Sequence, residues 1–194
     1  MTRRWFWIGA GIACITFLES VFSGSDVSDG VKWLVYGLIG LGALAKAFES
    51  QAKSKAERYV NEGYRLQDSG DCSAAEACFQ KAMSLLSELK DATDRQVGMA
   101  LQHSNLGLLY HQWGRTDEAE QSLRKSIQIY RGLGRLDESA PIHGSLAKLY
   151  FDIDKLDLAA KAATDALHLY RQRGGSQEAI GVLENLLLQV KRKE

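Results

Sequence analysis

Histidine, cysteine and asparagine are the residues in this 194-residue sequence whose types and spacing could do chemistry. The histidines His103, His111, His143 and His168 form no H-E-x-x-H, the pattern that sets two imidazoles on one helix face around zinc. His103 and His143 stand 40 residues apart. A metal ion held between neighbouring repeats is the chemical reading of that pair; a ring packed between helices is the structural one, and it is preferred because both occupy the same repeat position. Cys14, Cys72 and Cys78 make neither a disulfide framework nor a metal pattern, and are read as small packing residues. Gly40-x-Gly42-x-x-Ala45 matches the dinucleotide fingerprint, but a true fingerprint follows a strand and opens a helix, whereas these glycines lie inside an apolar helical run. There is no G-x-S-x-G and no G-x-x-x-x-G-K-[ST], and the acidic residues are spread as solvated helix faces. The expectation is a protein with no catalytic activity, metal or cofactor. What recurs is an amide: Asn61, Asn105 and Asn185, with Ser145 in the same series, each two residues before Gly63, Gly107, Leu187 and Ala147. An amide offers both a donor and an acceptor, which suits binding rather than bond making.

The elements that would carry these residues are helix pairs. Around residues 101–133 the chain reads Leu106-Gly107, Tyr110, the turn Trp113-Gly114-Arg115, then Ala119, Leu123 and Ser126. Gly107 and Ala119 are small where two antiparallel helices must approach, while Leu106, Tyr110 and Leu123 fill the space beside them. An earlier copy has Glu62-Gly63, Leu66, a turn at Ser69-Gly70-Asp71, then Ala75, Phe79 and Ala82. A later copy has Leu146-Ala147, Tyr150, a turn at Ile153-Asp154-Lys155 without glycine, then Ala159, Ala163 and Ala166. Pro141, the chain's single proline, falls just inside the first helix of that copy, where a missing N–H costs little. The steps between small residues are 44 and 40, which predicts long second helices and a loop near residues 90–94. A further step of 40 lands on Leu187, in an amphipathic stretch that would cap the stack and end on Lys191-Arg192-Lys193. The predicted repeats are 56–89, 96–133 and 139–173, with a capping helix at 176–190.

These motifs resemble the tetratricopeptide repeat (TPR) family, whose unit reads W-x2-L-G-x2-Y followed by A-x3-F, with His103 where the pattern has Trp and Leu123 where it has Phe. The period is similar to the longer TPR variety of kinesin light chains and related polarity adaptors. The resemblance implies an all-α, right-handed solenoid of three helix pairs plus a capping helix, with asparagines facing a concave groove that takes a protein or an extended peptide. The implied groove residues are Asn61, Tyr64, Gln67, Leu101, Ser104, Asn105, Leu108, His111, Gln112, Gly144, Ser145, Lys148, Phe151 and Asn185. The alternative for each asparagine is a bridge between neighbouring helices. Val60, Tyr64 and Leu101 stand where a clamp for a terminal carboxylate would need cations, so that mode is not expected.

Composition divides the chain. Charge is balanced, with 24 basic and 24 acidic residues, which excludes a strongly basic nucleic-acid binder. The first fifty residues, however, are dense in Trp, Phe, Ile, Leu and Gly. Runs at 5–22 and 31–48 flank a polar turn, and each is about 27 Å as a helix, close to the roughly 30 Å of a hydrocarbon core. The expectation is a transmembrane hairpin at 1–48, joined by a helical junction at 49–55 to a domain at 56–194. Arg3, Arg4, Lys46, Lys53 and Lys55 would keep both termini cytoplasmic. A cleaved signal peptide leaving one span is the alternative. Gly9 and Ala13 on one run, and Gly37, Gly40, Ala43 and Ala47 on the other, would let helices pack closely, and Glu19 would pair with Lys32. The functional expectation is a membrane-anchored adaptor that recruits or helps assemble a partner through its groove. A permanent subunit of a membrane complex, held through the hairpin, is the alternative, and self-association through the last helix is a third.

Overall fold

The computed structural model describes residues 29–193, with side chains from residue 37 onward except that of Arg173. The chain divides into two units, Met1–Gln51 and Ala52–Glu194. Helix α1, Asp29–Asp68, supplies the described part of the first unit and the opening turns of the second.

In the first unit Leu38, Ile39, Leu41, Leu44 and Phe48 are exposed. A methyl group added at Gly37 or Gly40 would meet nothing within 4 Å. Ala43 is exposed and Ala47 half-buried. No helix among the described residues is long and apolar enough to cross a membrane. This overturns the integral-membrane localisation expected from the sequence, and the cytoplasmic placement of both termini goes with it. The physical reason lies in α1: between Lys32 and Lys46 run 13 uncharged residues, about 20 Å of helix against the roughly 30 Å required. Beyond Phe48 come Glu49, Lys53, Lys55, Glu57 and Arg58. The other expected span, 5–22, with Gly9, Ala13, Cys14 and Glu19, and the turn to residue 28, lie outside the described residues.

The second unit stacks helix pairs. The end of α1 packs on α2, Cys72–Ser87; α3, Ala92–Gln112, packs on α4, Thr116–Gly132; and α5, Ala140–Asp152, packs on α6, Leu156–Arg173. A 3₁₀ turn at Leu136–Ser139 precedes α5, and α7, Gln177–Lys193, closes the series against α6. Three helix starts among the described residues carry side-chain caps: Asp71 accepts from the Ala74 N–H at 3.0 Å, Asp91 from the Asp94 N–H at 2.8 Å and Ser176 from the Ala179 N–H at 3.4 Å. Pro141 sits in the first turn of α5, as its spacing predicts. The cap at Asp91 lets α3 begin four residues before the expected 96, so much of the longer first step extends this helix to 21 residues.

Each pair closes through a small residue facing a larger or equally small one. A Cβ at Gly63 would lie 2.6 Å from the Phe79 ring, and one at Gly107 would lie 2.6 Å from Leu123 Cγ. Ala147 and Ala163 are both fully buried. The turns repeat as closely: Gly70, Gly114 and Asp154 have φ of 83°, 78° and 55°, and the next residue's N–H bonds back at 2.9 Å to Leu66, Tyr110 and Tyr150 respectively. Asp154 thus performs the left-handed turn that glycine performs elsewhere.

Neighbouring pairs are tied by an equivalent tyrosine and glutamate. The Tyr110 hydroxyl donates to Glu76 at 2.6 Å and the Tyr150 hydroxyl to Glu120 at 2.8 Å. Burial, then the bond to Glu76, pushes the Tyr110 pKa up to about 12. The capping helix corrects one register. Leu183 and Val190 are buried like Ile142 and Leu149, each 41 residues earlier, so Leu188 rather than Leu187 stands in the place of Ala147.

Candidate protein-binding face

The first helices of successive pairs touch one another directly, α3 to α5 and α5 to α7. Their polar side chains join in a ladder with a period of 41 residues. Lys53 pairs with Asp94; the Tyr64 hydroxyl donates to Asn105 Oδ1 at 2.9 Å; and His111 Nε2 lies 2.9 Å from Asp152 Oδ2. Gln67 Nε2 donates to Gln112 Oε1 at 2.8 Å beside them. A line of first helices bridged in this way, with turns and second helices behind, is the arrangement of a helical repeat array. The tetratricopeptide repeat family model matches residues 56–132.

That TPR match spans the first two pairs, fewer than half of the 194 residues. No curated protein matches the chain. Among solved structures, the chain is similar to the crystal structure of BtubC (BKLC) from P. vanneervenii, at 18% identity and a TM-score of 0.57, over 100% of this chain and 76% of that one. At such low identity the likeness concerns the fold alone.

The ladder decides what the expected groove residues touch. Asn105 is 9% exposed and both ends of its amide are engaged, Oδ1 by Tyr64 and Nδ2 by donating to Gln102 Oε1 at 3.3 Å. It bridges neighbouring helices. Asn61 is exposed and lines a cleft of about 530 Å³ with Val60, Leu86, Leu89, Leu101 and Gln102. Asn185 is exposed on α7 and accepts from Gln189 at 2.8 Å, while Ser145 Oγ donates to the Pro141 carbonyl at 3.1 Å. The asparagine series therefore occupies three environments. Lys148 bonds Asp152 at 3.0 and 3.2 Å, and Phe151 lies 4.5 Å beneath the Lys193 ammonium. Ser104 is half-buried, and Gly144 sits beside Leu183 of α7.

Between residues 52 and 112 the exposed large apolar side chains of α1 and α3 are Tyr64, Leu101 and Leu108, which are 44%, 48% and 40% exposed. Lys53, Lys148 and Lys193 are each paired with an aspartate. Sequence reasoning missed Lys53, Asp94 and Asp152 as members of the ladder; their 41-residue spacing from partners was the available signal. It also missed Leu86 and Leu89, which belong to α2 and the loop after it and reach the cleft only through packing.

The histidine pair is separated. His103 and His143 line different clefts, and burial lowers the pKa of each, with Lys125 adding to the effect at His103. No group of three or more His, Cys, Asp or Glu that could hold a metal ion occurs among the described residues. Cys72 and Cys78 are free and half-buried.

Proposed function

We propose that this chain is a non-enzymatic protein-interaction scaffold that takes an extended segment of a partner protein along its first helices. The TPR match supports the interaction role, because such repeats generally serve protein partners. The observation that carries the finer reading is the cleft beside Asn61. Val60, Leu89 and Leu101 give it an apolar floor for a side chain, while Asn61 offers a donor and an acceptor at its edge. Tyr64 and Leu108 continue the apolar line toward the next pair. The paired charges on this face favour an occupant with little net charge over an acidic terminus.

The test is affinity capture on the full chain with Asn61→Ala and Leu101→Glu. Loss of one partner, with the melting temperature held, supports the face. Retention of every partner by both variants sinks it.

A second reading rests on the first unit, where Leu38, Leu41, Leu44 and Phe48 are exposed beside Gly37 and Gly40. An apolar helix with glycines lets another protein helix come close, as in a permanent subunit of a larger assembly. A stoichiometric complex that survives purification and is lost on Gly40→Leu would favour it over the cleft.

A further inference from the structure

Successive helix pairs build the same cleft three times. One wall comes from Ser84 and Ser87 of α2, then from Gln128 and Arg131 of α4, then from His168 and Arg171 of α6, at matching repeat positions. In the first two clefts the next second helix closes the far side, through Lys125 of α4 and Asp165 of α6. The third cleft, between α6 and α7, has no such helix among the described residues. It measures about 800 Å³, against about 520 and 530 Å³ for the other two. The strip of α7 that a second helix would cover is consequently open, and Leu188 at its centre is 58% exposed.

Leu188 restricts what can sit there. On the other first helices this place holds Gly63, Gly107 or Ala147, and the incoming helix supplies Phe79, Leu123 or Ala163. With a leucine already in place, the incoming helix must present a small residue instead. Gly181 lies two turns from Leu188 on the same strip, and a Cβ there would meet nothing within 4 Å. Two copies of α7 running antiparallel put each Leu188 over the Gly181 of the other copy. The charges agree with that direction. Glu178 and Arg192 are exposed and 14 residues apart, close to four helical turns, so they share one edge of the strip. Antiparallel pairing about a two-fold axis brings this edge of one helix beside the same edge of the other, and so sets each Glu178 against the other copy's Arg192. The opposite edge is closed within the chain by Arg171, which donates to Glu184 at 2.8 Å.

We infer that the open α6–α7 cleft seats a second copy of this chain, as a two-fold dimer through antiparallel α7 helices with Leu188 on Gly181 and Glu178 on Arg192. This goes beyond the proposed partner face, which lies on the first helices near Asn61.

Sedimentation equilibrium of the full chain, across a concentration series, tests the dimer. Glu178→Arg and Arg192→Glu should each raise the dimer dissociation constant about tenfold or more, since each leaves like charges facing at both ends. The double variant E178R/R192E should restore it, because the swapped charges complement again. Gly181→Leu, at a position with open space around it, should block dimerisation without loss of helical circular dichroism. A wild-type chain that stays monomeric throughout, or single variants that associate as wild type does, would overturn the proposal. So would a double variant no better than the singles, and a monomeric wild type would leave the seat to a helix of another protein.

Discussion

The hydroxyl of Tyr64 on α1 donates a 2.9 Å hydrogen bond to the side-chain carbonyl of Asn105 on α3. This contact separates two asparagines that look equivalent in sequence. Asn105→Ala should cost about 1–3 kcal/mol in urea unfolding, because it leaves Gln102, only 4% exposed, without its donor. Asn61→Ala should stay within about 0.5 kcal/mol of wild type, as expected at an exposed site. Equal losses at the two positions would refute the division of labour between bridging and binding.

Gly107 and Leu123 form a size-matched pair. A Cβ at Gly107 would lie 2.6 Å from Leu123 Cγ and 3.2 Å from its backbone nitrogen, and Leu123 is fully buried. Alanine would gain up to about 1 kcal/mol in helix propensity, but overpacking costs about 1–3 kcal/mol, and neither neighbouring atom is the loose end of a side chain. Gly107→Ala should therefore be destabilising. Combined with Leu123→Ala it should lose less than the sum of the single losses. Strict additivity in chemical denaturation would mean the two residues do not meet.

The turn at Asp154 carries a cost that its counterparts avoid. With φ of 55°, Asp154 holds the left-handed conformation that Gly70 and Gly114 hold at the equivalent turns. Left-handed backbone costs a non-glycine residue roughly 1–2 kcal/mol, somewhat less for aspartate. Asp154→Gly gives up one exposed ion pair with Lys193, worth about 0–1 kcal/mol. The balance predicts a melting temperature equal to or slightly above wild type for Asp154→Gly. Gly114→Ala should lower it, and a clear drop for Asp154→Gly would show that the ion pair outweighs the backbone.

Acid should weaken the array through two imidazoles, the half-buried His103 and the buried His143. His103 and His143 have pKa values lowered by burial, so in the folded chain they are neutral where the unfolded chain, with a pKa of about 6.5, already binds protons. Because the unfolded state holds more protons below that value, stability must fall as pH drops through about 6.5 and below. Glu118, held below its usual range first by the hydrogen bonds from Arg115, adds a loss only at still lower pH, as it protonates. Melting curves from pH 7.5 to 5.0 should show the decline. Replacing both histidines by phenylalanine should flatten it; an unchanged slope would assign the acid sensitivity elsewhere.

The helix pairs were readable from sequence because they obey local rules. Small residues must stand where helices touch, and a turn must follow at fixed distance, so Gly63, Gly107, Ala147 and the turns at Gly70, Gly114 and Asp154 could all be placed by counting. Pro141 and the cap chemistry act over three or four residues, and are equally visible. Tertiary structure decided whatever depends on a partner tens of residues away. Whether Asn105 faces a ligand or Tyr64 is set by the packing of α1 on α3. The 41-residue register that exposes Leu188 instead of Leu187 is set by which side of α7 finds a core to bury against. Hydrophobic density alone pointed to a membrane at 31–48. The helix containing that stretch is nevertheless too charged along its described length to cross one, because a span must keep charge out of about 30 Å.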